Sequence, residues 1–205
     1  MDITYCLRDS LDHMRIPEAI AVVTGVLSVW FARKESVLVY PVGLVSVLLY
    51  TYICFEVKLY ADAAIQVYYA VMSVYGWYFW LKGGKGDSAG SEAEIVNMTP
   101  LRQSYWLLFT IALGFVIGLV LKTYTDSNVP YWDGITTAIF YTAMLLMARK
   151  VITHWVYWIV GDLICIPLFF SKGLCLSSLQ YVIFTVLAVA GWMAWNKKLR
   201  AMPYA

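Results

Sequence analysis

Few residues in this chain could do chemistry, and most of them sit in apolar surroundings. Trp155, Trp158 and Asp162 follow one another at steps of three and four. On a helix that spacing stacks two indoles and a carboxylate on one face. An ionisable side chain inside an apolar helix costs roughly 2.5–3.5 kcal/mol on insertion scales and is a functional candidate by default. The bland alternative is an Asp hydrogen-bonded to a neighbouring helix for packing. A second face carries Asp62, Gln66, Tyr69, Ser73, Trp77 and Trp80. It is polar and aromatic on an otherwise apolar helix, so it should turn away from lipid. The matching face further on is Ser177, Tyr181, Phe184, Ala188, Trp192 and Trp195, with Gln180 beside it. Trp77, Trp80, Trp192 and Trp195 fall near helix ends, where interfacial anchoring explains them as well as ligand contact does.

This set suits a flat organic cation. Aromatic faces attract cations by about 2 kcal/mol or more when desolvated, Asp162 would neutralise the charge, and Gln66, Gln180 and the tyrosines would bond hydroxyls or ring amides. Glu18, Asp62 and Asp133 each lie in the first turn of a predicted helix. Each alone reads as macrodipole pairing; together they would also concentrate a cation at an outer vestibule. Lys and Arg are almost absent from the apolar runs, which argues against a phosphorylated ligand. There is no Gly-x-x-x-x-Gly-Lys-Ser/Thr loop for ATP. Cys6, Cys54, Cys165 and Cys175 show no Cys-x-x-Cys pairing and read as small buried hydrophobes. No metal or cofactor is expected.

The elements that must position these residues are membrane helices. Of 205 residues 61% are hydrophobic and 14% charged, with a net charge of +2, against roughly 25% charged in a soluble domain. Mean hydropathy is +0.69. That composition argues against disorder, a nucleic-acid binder and a cytosolic enzyme. Seven apolar runs are predicted to span the bilayer, at 17–32, 36–55, 60–81, 104–121, 133–148, 153–170 and 174–195. The segment before Arg15 lacks the apolar core of a removable signal peptide. Lys82–Arg102, rich in Gly, Ser and Glu, reads as a flexible cytoplasmic linker, and its Asn97-Met98-Thr99 sequon as a chance match. Pro41 and Pro167 would each remove a helix hydrogen bond and kink the second and sixth helices. One side of the bundle holds Arg8, Arg15, Lys58, Lys122 and Lys172. The other holds Arg33, Lys34, Lys82, Lys85, Arg102, Arg149, Lys150, Lys197, Lys198 and Arg200. The second, more basic side belongs in the cytoplasm, with the N-terminus outside and the C-terminus inside.

The chain also resembles itself. Gly76 to Trp80 matches Gly191 to Trp195 at a shift of 115, as Glu18 matches Asp133. Ala32-Arg33-Lys34 matches Ala148-Arg149-Lys150 at 116, and Lys58 and Gln66 match Lys172 and Gln180 at 114. Ordered matches at one place in each predicted span point to duplication. The expected architecture is all-α, three plus one plus three: a first three-helix bundle at 17–81, a linker at 82–103, a linking helix at 104–121 and a second bundle at 133–195. Helix five starts an even number of crossings after helix one, so the halves are parallel repeats, a known plan for transporters.

The residues carry a family resemblance as well. Leu59-Tyr60-Ala61-Asp62-Ala63 through Gln66, with Tyr75-Gly76-Trp77-Tyr78-Phe79-Trp80, resembles the third helix of the PnuC family of vitamin transporters. Trp155-x-x-Trp158-x-x-x-Asp162 followed by Pro167 resembles that family's sixth helix, and Tyr40-Pro41-Val42-Gly43 its second. The likeness runs from about residue 17 to 198. It implies a SWEET-like bacterial inner-membrane protein taking up nicotinamide riboside by facilitated diffusion, with a cytoplasmic kinase trapping the product. Relatives that carry thiamine or riboflavin keep the choice of vitamin open, and the position of Asp162 is where that choice is expected to register.

The sequence-level model is alternating access, with the vitamin between the halves, stacked near Trp155 and Trp158 and facing Asp162. Three rivals differ in class. Ion coupling would use Asp162 as the ion site. A membrane enzyme would pair His154 with Asp162, which at eight residues apart are about 12 Å apart along a helix, too far to cooperate directly. A ligand-sensing receptor leaves the paired halves without a purpose. Unassigned lipid-facing surface leaves room for a homo-oligomer.

Overall fold

The computed structural model describes residues 15–56, 60–83, 92–171 and 174–201; the side chains of Tyr60, Ala61, Asp62 and Ala64 are not among them. Cys6, Arg8, Lys58, Lys85, Lys172 and the Asp62 side chain therefore lie outside the described residues. Seven helices account for nearly all that is described: α1 (Ile16–Arg33), α2 (Val39–Glu56), α3 (Tyr60–Lys82), α4 (Pro100–Tyr124), α5 (Pro130–Ala148), α6 (His154–Ser171) and α7 (Cys175–Ala201). Proline in the first turn opens α1, α4 and α5, where its missing N–H has no intrahelical partner to lose. Pro41 falls in the first turn of α2 in the same way, so the expected kink there is absent. Pro167 does lie inside α6. α4 starts earlier than its apolar run because the Thr99 hydroxyl accepts from Arg102 N, an N-cap. α7 runs on to Ala201, with Lys198 and Arg200 in its last turn, where cations offset the helix dipole.

Five helices are long and apolar enough to cross a membrane; α3 and α5 are the others. α5 can be less apolar because its neighbours cover it: ten of its residues are buried, Thr136 and Thr142 among them. α4 packs mainly on α5, with Tyr157 of α6 also reaching Thr110. The contact is close because Gly114 and Gly118 face Gly134, where an added Cβ would lie 2.5 Å from Gly118 N and 2.7 Å from Gly114 O. Small residues let membrane helices approach in this way, and Thr110 and Thr142 share a 2.8 Å hydrogen bond beside it.

The other six helices form a closed ring in the order α1, α2, α3, α5, α6, α7 and back to α1. Exchanging α1, α2 and α3 with α5, α6 and α7 maps this ring onto itself. The turns repeat the exchange in detail. Glu35 and Lys150, 115 residues apart, both take left-handed backbone conformations, at φ 57° and 56°. Glu35 N bonds Ala32 O at 2.9 Å and Ser36 N bonds Phe31 O at 3.0 Å; Lys150 N bonds Met147 O at 2.9 Å and Val151 N bonds Leu146 O at 3.0 Å. Gly76 gives way to the ring of Tyr40, and Gly191 to the ring of Trp155, an added Cβ meeting those rings at 2.5 and 2.6 Å. In this register Gln66 corresponds to Tyr181, one residue from the Gln180 that the sequence comparison aligned with it.

The second half of the linker is packed rather than loose. Ala93, Ile95 and Met98 are buried. Ala93 N bonds Trp80 O at 2.9 Å, and Val96 bridges Val151 in both directions.

Candidate functional site

Two layers of side chains meet between the halves. The first closes the end of the bundle where α1, α3, α5 and α7 finish, which also holds most of the described Lys and Arg and is called the basic end below. Trp80 Nε1 donates to Met147 O at 3.0 Å, and Trp195 Nε1 donates to Ala32 O at 3.0 Å. Each bond crosses from one half to the other, and each is the pseudo-twofold copy of its mate. The indoles touch, with ring centroids 5.8 Å apart, and Trp155 stands edge-on to Trp195 at 5.7 Å. His154 closes the cluster, its Nδ1 2.7 Å from Val151 O. Above it Lys150 Nζ pairs with Glu35 at 2.8 Å, bonds Ala93 O at 2.7 Å and lies 4.8 Å over the Trp80 ring. Lys198 reaches the other oxygen of Glu35. Trp80 and Trp195 thus act as internal ties, not as surface anchors; each is 2% exposed.

The second layer lies deeper, toward the middle of α6. Asp162 is 2% exposed. Among the described residues it has neither a hydrogen-bond donor nor a cation as a partner. It sits within electrostatic reach of Tyr69 on α3 and Tyr181 on α7, and Cys165 shares that position. Phe140 lies 5.5 Å from Trp158 and parallel to Tyr181 at 6.2 Å. It can do so because Gly161 leaves room: an added Cβ there would be 2.4 Å from the Phe140 ring. Across the seam, Tyr68 and Tyr141 pack at 4.2 Å, with Tyr68 Oη donating to Tyr141 O at 2.9 Å. Tyr50 Oη lies 3.5 Å from Gln180 Oε1. Gln180 Nε2 comes over Gly25, 3.7 Å from where a Cβ would be.

The sequence candidates therefore divide. Asp162, Trp158, Tyr69 and Tyr181 come together, with Gln180 nearby; Gln66 is half-buried one turn from Tyr69 on α3. Trp155 and Trp80 belong to the closing layer. Trp77 and Trp192 are 37% and 43% exposed on the outside of the bundle. Glu18 is near Tyr50 and Arg15. Asp133 accepts from Ser127 Oγ at 2.7 Å. Phe140, Tyr141, Tyr68 and Tyr50 escaped the sequence reading because aromatic residues at helical spacing read as core. Gly161 beside Asp162, and Gly25 one half away, were the available signal for a ring platform. No group of three or more His, Cys, Asp or Glu suited to a metal occurs among the described residues.

Residues 15–197 match the family model described as nicotinamide mononucleotide transporter. The nicotinamide riboside transporter PnuC of Escherichia coli K12 is 28% identical, covering 89% of this chain and 86% of that protein. The protein of the same name from Neisseria mucosa is 30% identical, covering 89% of this chain and 72% of that one. The chain belongs to the PnuC family. It is thus a multi-pass membrane transporter of a family of vitamin transporters, not an enzyme. A riboflavin/roseoflavin transporter, RibM of Streptomyces davaonensis, is 26% identical over 89% of this chain and 85% of its own length. The crystal structure of the vitamin B3 transporter PnuC superposes with a TM-score of 0.74 at 24% identity, covering 97% of this chain and 88% of that one. It establishes the same all-helical PnuC fold.

Proposed function

We propose that this PnuC-family protein carries nicotinamide riboside across a bacterial inner membrane by facilitated diffusion, the riboside binding between the two three-helix bundles. The observation that carries the reading is Asp162, a buried acidic side chain with no donor or cation partner among the described residues, which a cationic ligand would complement. Nicotinamide riboside is a flat pyridinium cation bearing a ribose. Its ring would lie against Trp158 and the Phe140–Tyr181 pair, its charge toward Asp162, and its hydroxyls and amide toward Gln180, Gln66 and Tyr69. A neutral flavin leaves the carboxylate without a counter-charge. A mononucleotide would bring a phosphate beside it, with no Lys or Arg in the described middle of the ring to receive it.

The two bundles rock about the pseudo-twofold axis to expose the site to either side. No ion coupling is needed if a cytoplasmic kinase phosphorylates the riboside and prevents its return. The basic end faces the cytoplasm, so α1 starts outside and α7 finishes inside. Arg33, Lys34, Lys82, Arg102, Arg149, Lys150, Lys197, Lys198 and Arg200 at that end, against Arg15 and Lys122 at the other, support this orientation. So does Cys175 at the start of α7, which is disulfide-bonded, since disulfides persist on the oxidising side of such a membrane.

Calorimetric titration of the purified protein tests the substrate. Tight binding of nicotinamide riboside with weak binding of thiamine and of the mononucleotide is expected. Tight binding of thiamine alone would keep the fold and replace the substrate.

A further inference from the structure

We infer that the tryptophan layer at the basic end is a latch that shuts one side of the pathway, with Trp80, Trp195, Glu35 and Lys150 as its gating residues. The inference rests on the alternating-access reading but not on the identity of the substrate. Most of the described polar contacts that join one half to the other lie in this layer. Besides the two indole-to-carbonyl bonds, Tyr40 Oη donates to Met147 O at 3.4 Å, and the Glu35–Lys150 and Glu35–Lys198 pairs cross the same seam. The bonded carbonyls of Ala32 and Met147 lie in the last turns of α1 and α5, next to the α1–α2 and α5–α6 turns. Each tie therefore fastens the end of α1 or α5 to a buried tryptophan of the other half. If the halves rock apart here, both ties break together, because one symmetry operation relates them.

The layer also contains groups that favour its opening. His154 Nε2 and Trp155 Nε1 are buried without a hydrogen-bond partner among the described residues. The pseudo-twofold mate of Trp155 is Tyr40, whose hydroxyl is bonded; the mate of His154 is Val39, which has no polar side-chain atom. A buried unpaired donor or acceptor is costly in the closed arrangement and regains partners once water enters. Bonds that hold the layer shut, set against orphans relieved by opening, are what a two-state element needs.

Cys165 is a built-in reporter. Its side chain is 2% exposed, one turn beyond Asp162 as seen from the latch. In a Cys54→Ser background, without reductant, a membrane-impermeant methanethiosulfonate is applied from one side of oriented vesicles at a time. Trp80→Phe with Trp195→Phe removes both donors and keeps an aromatic ring at each position. Modification of Cys165 from the basic side should then speed up by about tenfold or more, the worth of one to two neutral hydrogen bonds, with the rate from the other side unchanged. Glu35→Gln, at the rim, should act in the same direction and serves if the double variant does not fold. An unchanged rate in the folded variants, or an equal rise from both sides, would overturn the latch. The assay needs no substrate, so a one-sided rise in a protein that binds no nicotinamide riboside would uphold the latch and remove the substrate reading alone.

Discussion

Asp162→Asn is the most informative substitution, because it removes a charge while keeping shape and hydrogen-bonding capacity. Two unit charges about 4–5 Å apart attract by roughly 3–4 kcal/mol at an effective dielectric constant near 20. Truncating one member of a buried charge pair costs about 2–5 kcal/mol. The side chain is already desolvated in the free protein, at 2% exposure, so binding adds little further desolvation cost on its side. We expect a net loss of about 2–4 kcal/mol, or roughly 30- to 1,000-fold in Kd for nicotinamide riboside at about 1.4 kcal/mol per tenfold. Loss of binding alone would not separate a charge partner from a positioning residue. Reduction of the pyridinium ring to the dihydro form gives a ligand of nearly the same outline and no charge. Titrating wild type and Asp162→Asn with both forms closes a cycle whose coupling term is the charge interaction. Wild type should prefer the cation, and the variant should lose most of that preference. Equal losses for both ligands would show that Asp162 acts by shape or hydrogen bonding, and would refute the reasoning that gives this carboxylate its role.

The remaining predictions concern the same two layers. Trp158→Ala should weaken riboside binding about tenfold or more, through lost cation–π and stacking contact. Trp77→Leu and Trp192→Leu, on the outer surface, should leave Kd within about twofold, which the same titration reads. Gly76→Ala and Gly191→Ala should destabilise the protein by a similar amount, about 1–3 kcal/mol each, because each methyl meets the ring related by the repeat. Thermal unfolding in one detergent measures both, and a large difference between them would mean that the two halves do not share the packing. Nicotinamide mononucleotide should compete with the riboside at least tenfold more weakly than the riboside itself, most simply checked by displacement.

Much of this was legible in the sequence, for identifiable reasons. Continuous apolar runs placed all seven helices within a few residues, since bilayer thickness leaves little freedom in length. Boundaries shifted where local chemistry outranked hydropathy: Thr99 and Pro100 start α4 early, and the basic tail carries α7 past Trp195. Asp162 stood out because a carboxylate in an apolar helix has no bland explanation until a partner is found, and none appears among the described residues. The tryptophans were harder. Sequence spacing gives Trp80 and Trp77 nearly equal standing, yet Trp80 is buried across the seam and Trp77 is exposed. Only the packing of α3 against α5 distinguishes them, and that contact is remote in sequence. Phe140 and Tyr141 were invisible for the converse reason, being ordinary residues until Gly161 and Tyr68 are seen against them.

Where the repeat is kept and where it is lost suggests how one duplicated unit became a carrier. At the basic end the copies agree in bond, partner and backbone angle, as Trp80 with Trp195 and Glu35 with Lys150 show. Toward the middle the same register pairs Phe140 with Gly25, Trp158 with Gly43, Tyr181 with Gln66 and Asp162 with Val47. In these four pairs the second half supplies the ring faces and the charge, and the first supplies small, polar or aliphatic side chains. A latch works best when its ties are equivalent, because equivalent ties fail together and leave no half-open intermediate. A binding site for an asymmetric molecule has the opposite need. A flat cationic ring at one end and a hydroxylated sugar at the other cannot be matched by two identical walls. On the proposed mechanism the symmetric layer serves the motion and the asymmetric layer serves recognition. Substitutions in the first should change rates for any cargo, whereas substitutions in the second should change which cargo binds.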